Sequence, residues 1–175
     1  MKPLSVLPAA LLLTTAALAS PAVALPDLVI LVRHAERATE PAGDPALTPA
    51  GEQRAQVLAQ ALAGLRVNAI LTTQYRRTRD TAAPLAKALG IQPQVVDAKA
   101  GHVQAVAEAV RAQNGVVLVV GHSNTVPAIL AALGGPPLPE LCETSFHHVF
   151  VLRPGAGWMQ LSYGAPNAAP ATGCI

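Results

Sequence analysis

Arg33 and His34 stand at the end of an apolar run, Leu28 to Val32. A buried strand does not ordinarily finish on a cation beside an imidazole. Three more apolar runs end in the same manner. Val67 to Leu71 leads into Thr72, Thr73 and then YRRTRDTA, which carries Arg76, Arg77 and Arg79. Gln94 to Val96 is followed by Asp97, and Val116 to Val120 by GHSNT, with His122 and Ser123. Two histidines, at least one arginine and a carboxylate are a set suited to phosphoryl transfer. The arginine fork matches phosphate oxygens. A neutral imidazole is a competent nucleophile. One ring nitrogen attacks phosphorus while the other donates to a carbonyl and fixes the tautomer. A carboxylic acid protonates the leaving alkoxide. Each piece alone is weak: Arg-His pairs occur in solvated loops, a lone histidine after glycine is most often structural, and RRTRD reads as a solvated helix face. Their common position is what carries weight.

The elements that must hold them alternate. Leu28–Val32 is apolar throughout and predicts a strand covered on both faces. Thr48-Pro49 opens a helix, with threonine as N-cap and proline in the first turn. Val57, Leu58, Ala61, Leu62 and Leu65 give that helix one apolar face. Strand 67–71 precedes a helix over 76–89, stopped by Gly90, with Pro84 expected to kink it or mark its true start. Strand 94–96, a helix through Val103, Val106, Ala107 and Val110, strand 116–120 and a helix over 125–133 follow. Residues 148–152 and 158–163 read as a closing pair of strands. This order predicts an α/β fold, a three-layer αβα sandwich with a mostly parallel central sheet. In such sheets ligands sit beyond the carboxyl ends of the strands, where Arg33, His34, Arg77, Asp97 and His122 are expected. Arg77 falls in the first turn of its helix, where free N–H groups and the dipole also favour an anion.

The chain has 175 residues, is 51% apolar and only 3% aromatic, so alanine, valine and leucine must fill one core. Its ends read differently. Lys2, the apolar stretch Leu7–Ala19 and the small-x-small site Ala22-Val23-Ala24 have the order of a secretory signal peptide over 1–24, leaving a domain over 25–175. No other stretch is long enough to span a membrane. The expectation is an exported protein, periplasmic or secreted. The formal charge is +2, and Lys2 leaves with the signal. That is no footprint for nucleic acid or an anionic membrane. Cys142 and Cys174 can oxidise in such a compartment and tie the tail to the body, but the sequence leaves that pairing open.

The stretches VRHAER, LTPAGEQRA, RRTRDTAAPLA and VVGHSNTVPAIL, in this order, resemble the histidine phosphatase superfamily, whose fold is shared with cofactor-dependent phosphoglycerate mutases. The resemblance runs from about Leu28 to Leu152. It implies that His34 is phosphorylated during turnover and that Arg33 binds the phosphoryl group. The family's R-x-x-x-T-A pattern falls on Arg77, Thr81 and Ala82, so Arg76 and Arg79 are less central. His122, with Ser123 beside it, is implied to contact the phosphoryl oxygens. The general acid is the open point. Mutase-like members carry a glutamate a few residues before a glycine, and Asp97, four before Gly101, is the positional counterpart; its other reading is a strand end. Glu36, Asp80 and Glu143 are further candidates, Glu36 alternatively orienting Arg33 or capping the loop.

The expected activity is hydrolysis of a small phosphorylated substrate through a phosphohistidine, with no cofactor and no metal. His147 and His148 are not expected to share a metal, because neighbours on a strand point to opposite faces. His102 is expected to be structural or to stand at the rim. Two alternatives are a catalytically silent phosphate-binding or envelope-interaction module and a mutase-like phosphotransferase. The loops Thr39–Ala46 and Pro136–Thr144 are expected to line the entrance. The leaving group and oligomeric state are not legible.

Overall fold

A computed structural model describes residues 26–166 and 172–175. The signal-peptide segment, residues 1–24, lies outside the described residues. Ten elements follow one another: β1 (Leu28–Arg33), α1 (Pro49–Leu62), β2 (Val67–Thr72), α2 (Arg76–Leu89), β3 (Gln94–Val95), α3 (His102–Arg111), β4 (Val116–Gly121), α4 (Thr125–Ala132), β5 (His148–Arg153) and β6 (Gly157–Ser162). The expected alternation holds, with boundaries displaced by a residue or two.

One six-stranded sheet has the order β3-β2-β4-β1-β5-β6. β3, β2, β4 and β1 run parallel. β5 is antiparallel to β1, and β6 to β5. The sheet is therefore mixed: a parallel block with an antiparallel closing pair. Alternation along β1 splits the core in two. Val29 and Leu31 face α3 and α4, through Val106, Val110, Ile129 and Leu130. Ile30 and Val32 face α1 and α2, through Leu58, Leu62, Ala82 and Leu85. This is the three-layer αβα sandwich. β1 and β4 are buried on both faces, which is why they read as unbroken apolar runs.

Local signals behave as their chemistry requires. Thr48 Oγ1 accepts from Gly51 N at 3.1 Å and caps α1. Gly90, with φ +66°, ends α2 in the left-handed region. Pro84 does not begin α2; the helix runs from Arg76 through it. The tertiary packing of Ala82, Leu85 and Ala86 on the sheet holds the turn that proline alone disfavours. No helix of the described residues is long and apolar enough to cross a membrane.

Candidate active site

Register builds the site. Arg33 pairs with Gly121 across the parallel β1–β4 ladder, so His34 and His122 leave the sheet at the same level. His34 N donates to Gly121 O at 2.9 Å. The two imidazole centroids lie 5.4 Å apart with planes at 65°. α2 adds Arg77 in its first turn. Together with Arg37, Tyr75, Lys99, His102, Ser123 and Glu143, these residues line an open cleft of about 520 Å³.

His34 is prepared as a nucleophile. It is buried, and its Nδ1 lies 2.8 Å from Ala35 O. A carbonyl only accepts, so Nδ1 carries the hydrogen and Nε2 keeps its lone pair. Burial pushes its pKa down to about 3, and the charges of Arg33 and Arg77 push the same way. His122 is pushed to about 4, by burial first and then by Arg77. Its Nε2 lies 3.2 Å from Thr73 Oγ1, which in turn meets Thr78 Oγ1 at 2.9 Å. Both rings are thus neutral at ordinary pH and fixed in place.

The arginines are anchored but not used up. Arg33 donates through Nη1 to Cys142 O at 2.6 Å and Ser145 O at 3.2 Å, and through Nη2 to Glu143 Oε2 at 2.7 Å. Its guanidinium lies 4.3 Å from the Phe146 ring centroid, and that of Arg77 lies 4.1 Å from Tyr75. Arg33 Nε and Arg77 Nε are both buried without a hydrogen-bond partner among the described residues. Two guanidinium groups and a neutral imidazole lining one cleft fit a tetrahedral oxyanion.

Thr81 explains a motif position by contact. Its hydroxyl donates to Arg77 O at 2.7 Å and accepts from Ala35 N at 2.9 Å. It thereby ties α2 to the residue after His34.

The carboxylates divide differently from expectation. Asp97 is not brought to the cleft wall, although its neighbours Ala98 and Lys99 are. Its carboxylate lies 3.8 Å from Lys99 Nζ and is 55% exposed. Val96 N still donates to Thr72 O at 2.9 Å, and past it the Asp97 side chain turns to Lys99 while its carbonyl meets His102 Nδ1 at 3.0 Å. Glu143 does line the cleft, and accepts from Ser123 Oγ at 2.6 Å as well as from Arg33. Burial raises its pKa, but Ser123 and Arg33 together outweigh that and leave it below the usual carboxylate value. Glu36 is committed elsewhere: Arg54 grips it through Nε at 3.0 and 2.9 Å and through Nη2 at 2.8 Å. Asp80 lies 3.9 Å from Arg76 on α2 and is not a lining residue.

Other expectations are corrected by placement. Loop 39–46 contributes no lining residue; its Asp44 instead accepts from Arg76 N at 2.7 Å and caps α2. The segment 136–144 does line the cleft, through Glu140 and Glu143. His147 and His148 do not diverge: their centroids are 4.1 Å apart, because β5 starts only at His148. Among the described residues no third ligand joins them. His102 is both structural and at the cleft, with Nδ1 3.0 Å from Asp97 O. Sequence reasoning missed Arg37, Lys99, Tyr75 and Phe146. Two of these are aromatics in a chain with very few, and that scarcity was the available signal.

Residues 29–99 match the histidine phosphatase superfamily, branch 1. The fold and the paired histidines agree with that likeness, which the family model carries over this stretch of the chain. The fold is also that of a chain from Agrobacterium tumefaciens assigned as the phosphohistidine phosphatase SixA. That chain is 25% identical, with a TM-score of 0.59, covering 81% of this chain and 100% of the other. The mycobacterial glucosyl-3-phosphoglycerate phosphatase Rv2419c, 18% identical with a TM-score of 0.56 over 79% of this chain and 99% of its own, shares the fold. The PE-PGRS family protein PE_PGRS11 of Mycobacterium tuberculosis is 35% identical over 133 residues, 72% of this chain. The chain spans only 21% of that relative's length.

Proposed function

We propose that the protein is a metal-independent phosphomonoester hydrolase that works through a phosphohistidine on His34. The observation that carries the reading is the convergence of Arg33 and Arg77 with a neutral, oriented His34 imidazole on one cleft. The phosphatase activities named for the SixA protein and for Rv2419c support it.

In this reading the phosphoryl group seats between Arg33 and Arg77, with His122 and Ser123 on its oxygens. His34 Nε2 attacks phosphorus in line and the alkoxide departs. Arg33, Arg77 and His122 stabilise the charge on the equatorial oxygens, so catalysis is positioning and electrostatics. Water then attacks the phosphohistidine and restores the neutral ring.

We give the leaving group's proton to Glu143 rather than Asp97. Glu143 is on the cleft wall. A bound dianion competes for Arg33 and adds negative charge beside Glu143, and both effects raise its pKa. A nitrophenolate needs no proton, whereas an alkoxide does. Glu143→Gln should therefore slow hydrolysis of an alkyl phosphate while largely sparing p-nitrophenyl phosphate. If Asp97→Asn gives that pattern instead, the donor is Asp97.

The deciding assay is p-nitrophenyl phosphate hydrolysis by the chain from Leu25, with chelator present, beside His34→Ala. Turnover that survives chelator and vanishes in the variant, with an acid-labile phosphoprotein trapped by rapid quench, is the expected result. Phosphate binding without turnover would leave a silent binding module. We also infer export, from the pattern of residues 1–24; full-length protein accumulating in the cytoplasm would overturn that.

A further inference from the structure

The anchors of Arg33 come from one short stretch. Cys142 O, Glu143 Oε2 and Ser145 O are its three acceptors. They lie in the connection between α4 and β5, where the chain has no helix or strand of its own. Arg33 is 3% exposed, so its aim depends on where that connection sits.

The connection is held from two sides. Toward the sheet, Leu141 N donates to Ser123 O at 3.0 Å, just after β4. On the other side stand the last residues of the chain. Cys142 N donates to Ile175 O at 2.7 Å, and Ile175 N donates to Glu140 O at 3.1 Å. Cys142 is bonded to Cys174 in a disulfide, with Cα atoms 5.0 Å apart. Cys142 is buried, whereas Cys174 is partly exposed.

We propose that the Cys142–Cys174 bridge is a positioning device for Arg33, so that the anion clamp is fully formed only in the oxidised protein. The inference rests on the anion-binding reading of the site. The residue whose carbonyl takes the shortest of Arg33's hydrogen bonds is itself the bridged one. Opening the bridge removes the one covalent tie on that stretch and leaves it held by the Leu141 N–Ser123 O, Cys142 N–Ile175 O and Ile175 N–Glu140 O hydrogen bonds, in a connection without helix or strand that opens more readily than the sheet. Cys142 is buried beside the core, but the two clusters on the faces of the sheet are built by other side chains, so the bridge bears on the loop more directly than on the sheet and helices. A dithiol delivers two electrons and two protons to the bridge, Cys142 and Cys174 become thiols, and the dithiol closes to its own disulfide.

The test compares oxidised protein, dithiothreitol-treated protein and the pair Cys142→Ala/Cys174→Ala, each with and without Arg33→Ala. Two quantities are read: the dissociation constant for inorganic phosphate by calorimetry, and kcat and KM for p-nitrophenyl phosphate. Far-UV dichroism checks that the fold persists. Reduction should weaken phosphate binding and lower kcat/KM by roughly ten- to a hundred-fold, the scale of an ångström-sized misplacement. The cysteine-free pair should match the reduced protein and ignore the dithiol. In Arg33→Ala, reduction should change little, because two changes acting through one group are not additive.

Equal losses with and without Arg33 would overturn the inference, as would equal activity in both redox states. Loss of the far-UV signal on reduction would assign the bridge to folding and overturn it too. Redox-dependent phosphate binding in an oxidised protein that never turns over would instead sink the phosphatase reading and leave this one standing.

Discussion

His34 and His122 show how burial beside two arginines converts ordinary imidazoles into neutral ones. The unfolded chain's imidazoles take up protons near pH 6.5, whereas the folded ones wait until about 3 for His34 and about 4 for His122. Between those values the unfolded state binds more protons, so stability rises with pH across the window and is lost as pH falls through it. We expect urea unfolding free energies to fall on acidification from about pH 6.5 toward 3, with a shallower slope in His34→Gln. An unchanged slope would mean that His34 is not held neutral by its site. These histidines were legible in the sequence because each follows a strand whose apolar run is unmistakable. Arg33 and Arg77 were legible for the same reason and by their motifs. Glu143 was legible only as one of several candidate acids on an entrance loop, and neither its grip on Arg33 nor the contact of Phe146 with Arg33 was. Both side chains reach the site from more than a hundred residues along the chain, and only the fold brings them there.

At the scale of elements, α1 must pass very close to the segment after His34. A Cβ placed on Gly51 would collide with the Glu36 carbonyl, which is backbone and cannot swing aside. The same junction holds the Thr48 N to Glu36 O bond at 2.9 Å and the Arg54–Glu36 ion pair. Gly51→Ala should therefore destabilise the protein by about 1–3 kcal/mol, the usual cost of overpacking, and lower activity by shifting His34. Chemical denaturation and p-nitrophenyl phosphate kinetics measure the two effects. A neutral substitution would show that α1 is free to move away. In the sequence, this glycine looked like part of a motif without a reason; its reason is a close approach between two elements, which no periodicity reports. Periodicity did report α1, α2 and α3, because each buries one stripe. Pro84 does not mark the start of α2, because packing of that helix on the sheet outweighs the local preference. Periodicity could not report the side chain of Asp97, which turns to Lys99.

The whole molecule carries a formal charge of only +2, yet its cleft gathers Arg33, Arg37, Arg77 and Lys99 against Glu140 and Glu143. The attraction for an anion is thus local, focused by the cleft and not spread over the surface. Composition could not show this concentration, because the four cations come from three separate segments of the chain: β1 and the residues after it, α2, and the connection before α3. The arrangement has a measurable consequence. Arg37 and Lys99 are exposed, so salt screens them, while the buried Arg33 is screened much less. For a dianionic monoester, raising sodium chloride from about 20 mM to about 500 mM shrinks the Debye length from roughly 20 Å to roughly 4 Å. We expect KM to rise several-fold over that range while kcat stays nearly constant, because capture is screened and the buried chemistry is not. The double variant Arg37→Ala/Lys99→Ala should start at the higher KM and respond weakly to salt. If kcat falls with salt while KM holds, the rim cations act on the reacting phosphoryl group itself, and the division between an outer capturing rim and an inner clamp is wrong.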